Sequence, residues 1–236
     1  KYYNIMKKIS LITSLLFTLI MGTLFASVID QSVITVSAVL IGLGSLPFAV
    51  QGALFVAFSN LEWADGTENM GGLQVIGYYA PIADIDNFPL LPANPTTPTE
   101  EVTLESATGF TMKTDKVFLK IYSTLETSEV VDENQGEADG QSFVHKANIF
   151  YPGTSVEALS FAKGVNNSNM AFIFTQANGQ RRVIGSRAFP ARCKTNFTSG
   201  KATADRKGMT MEIYSYGYTP APLYTGVILL ADGAIS

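Results

Sequence analysis

The sequence predicts a mainly β domain over residues 59–236: an antiparallel β-sandwich or partly rolled barrel with one short flanking α-helix. A hydrophobic, helical segment over residues 1–58 precedes it. Three observations carry this reading. Charge is nearly absent before residue 59 and ordinary after it. Beyond that point apolar and polar residues alternate in short runs, the period of a half-buried strand rather than of a helix. Glycine, proline and asparagine punctuate those runs where turns belong.

The front carries only Lys1, Lys7, Lys8 and Asp30 as charges. Residues 9–29 carry none and as a helix reach roughly 30 Å, enough to cross a bilayer. Lys7 and Lys8 resemble the basic start of a signal peptide, with Met6 as a start, but small residues do not fill both positions of a cleavage pattern near Ala26 and Ser27. A second uncharged run, residues 31–61, is interrupted by Gly42, Gly44, Pro47 and Gly52. Three readings stand side by side: a membrane anchor, a signal sequence with a hydrophobic segment, or sequence outside the mature protein. A membrane is a partner only under the first.

From residue 59 the elements follow in order. "LQVIGYYA" (73–80) is a strand closed by Pro81, and "PIADIDNF" holds at most one helical turn. Pro89, Pro92, Pro95 and Pro98 make residues 89–99 an exposed extended loop. "EVTLES" and "GFTMKT" read as short strands. In "KVFLKIYST", Val117, Leu119 and Ile121 alternate against Phe118, Lys120 and Tyr122. "TSEVVDENQGEADG" is an acidic strand running into a glycine turn. "QSFVHKANIFY" is a strand with Phe143, His145, Ala147, Ile149 and Tyr151 on one face. "TSVEALSFAKGV" is the helix. Thr154 or Ser155 caps it, Glu157 meets the free N–H groups of its first turn, Val156, Leu159, Phe161 and Ala162 form its apolar side, and Gly164 stops it. "NMAFIFTQ" and "RRVIGSR" form a hairpin about Asn178-Gly179. "ARCKTNFTS" and residues 209–218 close the set of seven or eight strands. In the last, Met209, Met211, Ile213 and Ser215 face one way and Thr210, Glu212, Tyr214 and Tyr216 the other.

Little in the chain points to catalysis, and the expectation is a protein that is not an enzyme and uses no cofactor or metal. "GLGSLP" (42–47) lacks the lysine and spacing of a phosphate loop. Cys193 and His145 are each the only residue of their kind, so no disulfide closes within the chain and no Cys cluster holds zinc. Both read as strand side chains. A Ser-His-Asp arrangement would have to use His145, with no sequence feature to support it. The totals of 16 basic and 20 acidic residues, less those of the front, leave 13 and 19, a net of −6 after position 58. Such a balance repels nucleic acid rather than gripping it.

The order "DGQSFVHKANIFYPG", "TSVEALSFAKGV", "NMAFIFTQANGQRRVIGS", "TADRKGMTMEIYSYG" resembles that of phage tail-tube proteins. With the opening "SNLEWADGTENMGGLQVIGYYAPIADI" and the closing "APLYTG" it is closest to tail-tube-like proteins of phages and prophages of Bacteroidetes, over about residues 59–230. Nothing in residues 1–58 shares the resemblance. It implies a tail-tube-like sandwich and a structural virion protein in a phage tail. Copies would assemble in the bacterial cytoplasm into stacked rings, commonly hexamers, around a channel through which DNA passes without specific binding. Tape-measure, tail-terminator or sheath proteins would be partners. Under this reading Asp205, Arg206 and Lys207, with Tyr214 and Tyr216, are expected at a ring or subunit interface. Glu126, Glu129, Asp132 and Glu133 are expected on an acidic lumen or inter-ring face, and the loop 89–99 is expected to reach an adjacent ring. The plain alternatives are a solvated turn with an Asp205–Arg206 pair, a solvated acidic strand and an ordinary surface loop. The rival function is a membrane-anchored or exported β-sandwich at the bacterial surface that binds a ligand.

Overall fold

The computed structural model describes residues 60–105 and 109–235. The hydrophobic segment 1–58 therefore lies outside the described residues. Strands β1 (Ile76–Pro81), β4 (Leu119–Tyr122), β7 (Met170–Thr175) and β8 (Arg181–Ile184) form one antiparallel sheet in the order β4-β1-β7-β8. Strands β5 (Glu129–Gln135), β6 (Ser142–Pro152), β9 (Arg192–Thr198) and β10 (Gly208–Gly217) form a second in the order β5-β6-β10-β9. Two small hairpins, β2 (Ile85–Asn87) with β3 (Thr111–Met112) and β11 (Ile228–Leu230) with β12 (Gly233–Ile235), complete the strands. The result is a sandwich with separate sheets rather than a rolled barrel.

Alternation explains the two facing sheets. Ala147 and Ile149 of β6 and Met209, Met211 and Ile213 of β10 meet Phe172, Phe174 and Ile184 of the other sheet in one buried core. The pattern fails at β7, where all six residues are buried. Its odd neighbours Ala171 and Ile173 enter a second core on the far face of the same sheet. A third layer covers that face: Ile85, Phe88, Leu104, Phe110, Tyr224, Ile228 and Leu230. A strand covered on both faces loses alternation and reads as a continuous apolar run.

The third layer corrects several expectations. "KVFLKIYST" keeps its two alternating faces, but both meet a core: Ile121 enters the first and Phe118 the second, where it bridges to Leu230 of β11 and packs edge-on against Phe110 at 5.2 Å, while Leu119 is exposed. "EVTLES" is not a strand. Its start belongs to helix α1 (Pro98–Val102), which ends the proline loop; the Thr97 hydroxyl caps it by accepting from the Glu100 N–H, with proline at the first turn. Tyr224 ties the layer together, accepting from the Phe110 N–H at 3.1 Å and donating to the Val227 carbonyl at 2.8 Å.

Helix α2 (Val156–Val165) is capped by Ser155, whose hydroxyl accepts from the Ala158 N–H. Its buried side is Ala158 and Val165, with Phe161 and Ala162 partly covered; Val156 and Leu159 are exposed. Phe161 sets this rotation by meeting Tyr79 edge-on at 5.2 Å. Gly164 does not stop the helix: it runs to Val165, and Asn167 takes the left-handed conformation at φ 60°. In the 176–180 hairpin only Gly179 has positive φ, and the Gln176 N–H bonds the Gln180 carbonyl, a three-residue loop in place of the two-residue turn.

Cys193 is buried on β9, and burial pushes its thiol up to about 12. The thiolate is the reactive form. A thiol reagent at neutral pH is therefore expected to leave the folded chain unlabelled and to modify it once urea unfolds it; labelling of the folded chain would contradict the packing.

Candidate functional site

The outer face of the sheet β5-β6-β10-β9 gathers most of the singled-out residues. Alternation sends Glu129, Val131 and Glu133 of β5 outward, and the register places Glu129 opposite Asn148, Val131 opposite Lys146 and Glu133 opposite Val144. Tyr214 lies between Lys146 and Arg192, and Glu212 between Asn148 and Lys194. Lys146 bonds Glu133, and Asn148 donates to Glu129 at 3.2 Å. Lys194 lies 3.7 Å from Glu212 and 4.8 Å over the Tyr214 ring. Tyr214 meets Tyr216 edge-on at 6.4 Å. Exposed pairs of this kind contribute little stability, but they fix which charges stand where.

This face is not acidic. Glu129, Glu133 and Glu212 are set against Lys146, Arg192 and Lys194 across the four strands. The four expected carboxylates also do not share it. Asp132 points to the opposite side of β5, and Glu126 sits in the preceding turn at φ 61°. The turn before β10 also differs from an Asp–Arg pair. The Asp205 carboxylate accepts the N–H groups of Lys201 and Ala202 at 2.8 and 2.9 Å, closing the turn on itself. Arg206 instead lies 5.1 Å over the ring of Phe150, on the same outer face of β6. That contact needs Gly208: a Cβ there would stand 2.5 Å from the Phe150 ring and 2.4 Å from the Tyr151 carbonyl. Tyr218 lies beyond the end of β10 and packs edge-on to Phe189 at 5.7 Å.

Asp132 belongs to a polar cluster at one end of the sandwich. Its Oδ1 accepts from His145 Nδ1 at 2.8 Å and from the Ala221 N–H at 3.1 Å. A carboxylate only accepts, so Nδ1 carries the proton. The Arg182 guanidinium is 3.8 Å from Oδ2 and donates to the Ala221 carbonyl at 2.6 Å. Burial alone would raise the Asp132 pKa. The bonds from His145 and Ala221, with the charges of His145 and Arg182, outweigh it and hold the carboxyl below its ordinary value. The cluster ties β5, β6, β8 and the 218–222 segment. Ser215, opposite His145 in the register, is also buried, but its hydroxyl accepts from the Gly185 N–H at 3.1 Å. Among the described residues no hydrogen bond joins it to His145.

Beside the cluster lies a cavity of about 360 Å³. Phe88, Leu90, Leu104, Val183, Phe189 and Pro222 make its wall apolar, and Arg187 is its one formally charged lining residue. Sequence reasoning missed both cluster and cavity. Alternation placed His145 inward, but the loops that complete its surroundings come from distant parts of the chain. Among the described residues no group of three or more His, Cys, Asp or Glu could hold a metal, and no helix is long and apolar enough to cross a membrane.

Comparison with protein-family models, with curated proteins and with solved structures finds no match to this chain.

Proposed function

We propose that the chain is a structural subunit that assembles with copies of itself into rings, in the manner of a phage tail tube around a DNA-conducting channel. The resemblance of its segment order to tail-tube proteins supports the class. One structural observation carries the assembly: the outermost strands of the sheet β5-β6-β10-β9 are each seven residues long and oppositely charged. On the same outer face, β5 presents Glu129 and Glu133 at one edge and β9 presents Arg192 and Lys194 at the other. An outermost strand keeps unpaired N–H and C=O groups that another chain can bond. Two different edges of opposite sign favour head-to-tail contact, which closes into a ring when the rotation allows. The charge-balanced face would neither grip nor strongly repel phosphate if it lined a channel.

This predicts an experiment in two halves. Glu129→Lys with Glu133→Lys makes both edges basic; Arg192→Glu with Lys194→Glu makes both acidic. Each variant alone is expected to form no closed rings, because like charges directly opposite are unfavourable. Mixed in equal amounts, they are expected to assemble with copies alternating around an even-numbered ring. Wild-type assembly by either variant alone would contradict edge pairing. Sedimentation of the three samples decides it.

A further inference from the structure

The chain from Asn60 to Gly72 is exposed along its whole length. Leu61, Trp63 and Met70 within it expose 102%, 64% and 76% of their surface. Its own hydrogen bonds are local: the Thr67 N–H and hydroxyl both donate to the Ala64 carbonyl. It joins the domain where the Gly72 carbonyl accepts from the Ala177 N–H, and Leu73 is the first buried residue among the described residues. Three large apolar side chains on one exposed segment point to a contact surface. The segment carries Glu62, Asp65 and Glu68 and no basic residue.

The cavity beside His145 is its complement. Its wall is apolar and its charged lining residue, Arg187, is basic and exposed. Arg187 is held at the rim by donating to the Ile85 and Asp86 carbonyls at 3.2 and 2.8 Å. Leu90 and Tyr218, at the mouth, expose 70% and 80%. We infer that residues 60–72 of one copy dock in this cavity of a second copy, with Trp63 entering it and the arm's carboxylates facing Arg187. Trp63 is not among the lining residues of the cavity of its own chain, and the arm leaves the domain beside Ala177, at the opposite end of β8 from the cavity. The nine Cα–Cα steps from Trp63 to Gly72 reach at most about 30 Å, enough to pass to an adjacent subunit. The inference rests on the reading that copies of this chain assemble, but not on how their sheet edges meet.

Trp63 is the chain's single tryptophan, so its fluorescence reports on the arm alone. The full chain is diluted serially while sedimentation follows its mass. Emission is expected to move to shorter wavelength as the mass rises. Leu90→Glu alters an exposed position and adds a charge that repels the arm; it is expected to raise the concentration for that shift about tenfold. The Glu129→Lys, Glu133→Lys chain is expected to lose rings yet keep the shift. Emission that stays at the exposed wavelength while the mass rises overturns the docking and leaves edge pairing standing. A shift independent of concentration places Trp63 in its own chain and overturns exchange between copies. A Leu90→Glu chain that shifts like wild type overturns the cavity as the site. A chain monomeric throughout overturns both this inference and the assembly it rests on.

Discussion

Phe172→Ala is expected to cost about 3–5 kcal/mol of folding stability, read as a lowered urea midpoint with an unchanged slope. Phe172 is fully buried at the centre of β7, opposite Tyr79 on β1 and Ile184 on β8. Its ring stacks 6.1 Å from Tyr79 and 6.1 Å from Phe174. β7 is covered on both faces, so neither core can collapse into the gap without disturbing the other. Leu159→Ala on α2 is the contrast. The helical pattern assigns Leu159 to the apolar side, but half of it is exposed, and its loss is expected to stay near or below about 1 kcal/mol. Comparable losses at the two positions would contradict the packing.

Asp132→Ala is expected to cost about 3 kcal/mol at neutral pH, because it leaves the His145 Nδ1–H and the Ala221 N–H without their acceptor and the Arg182 charge without its partner. Asp132→Asn is expected to cost less, since its amide oxygen still accepts. The pH dependence carries the sign. The Asp132 pKa is lower folded than unfolded, so the unfolded chain binds the proton more readily. Its contribution is fully present above the ordinary carboxylate value of about 4 and is lost as pH falls through the lowered folded value. Urea midpoints of wild type and Asp132→Ala are expected to differ most above about pH 5 and to converge below it. A gap that persists undiminished into acid would show that the carboxylate charge is not what the cluster uses.

The strands that alternate were legible in the sequence because one face of each is buried and the other is not. The inward set of β10 and the inward face of β6 follow from period alone. The third layer was not legible. Its members are short, and their burial depends on partners far along the chain: the Leu223 N–H donates to the Val102 carbonyl and its carbonyl accepts from the Leu104 N–H, and the Phe118 N–H donates to the Leu229 carbonyl. Without that layer the burial of Phe118, on the face opposite Ile121, and the terminal strands β11 and β12 are not legible. Among the site residues, Tyr214 and Tyr216 share a face by alternation, whereas Glu129, Asp132 and Glu133 were grouped by acidic composition alone. Asp132 was misplaced because acidic composition was allowed to outweigh the same alternation, which turns position 132 inward. Lys146, Arg192 and Lys194 went unnoticed because their pairing with the acidic positions exists only in the sheet register.

Self-assembly is the central claim, and one preparation tests it most directly. The full chain is purified, its mass measured by light scattering across a wide concentration range, and the same samples imaged by negative-stain electron microscopy. Closed rings or hollow stacked tubes are expected, with a mass that is a multiple of the single chain. A uniform monomer at the highest concentration, with no rings in the images, would contradict it.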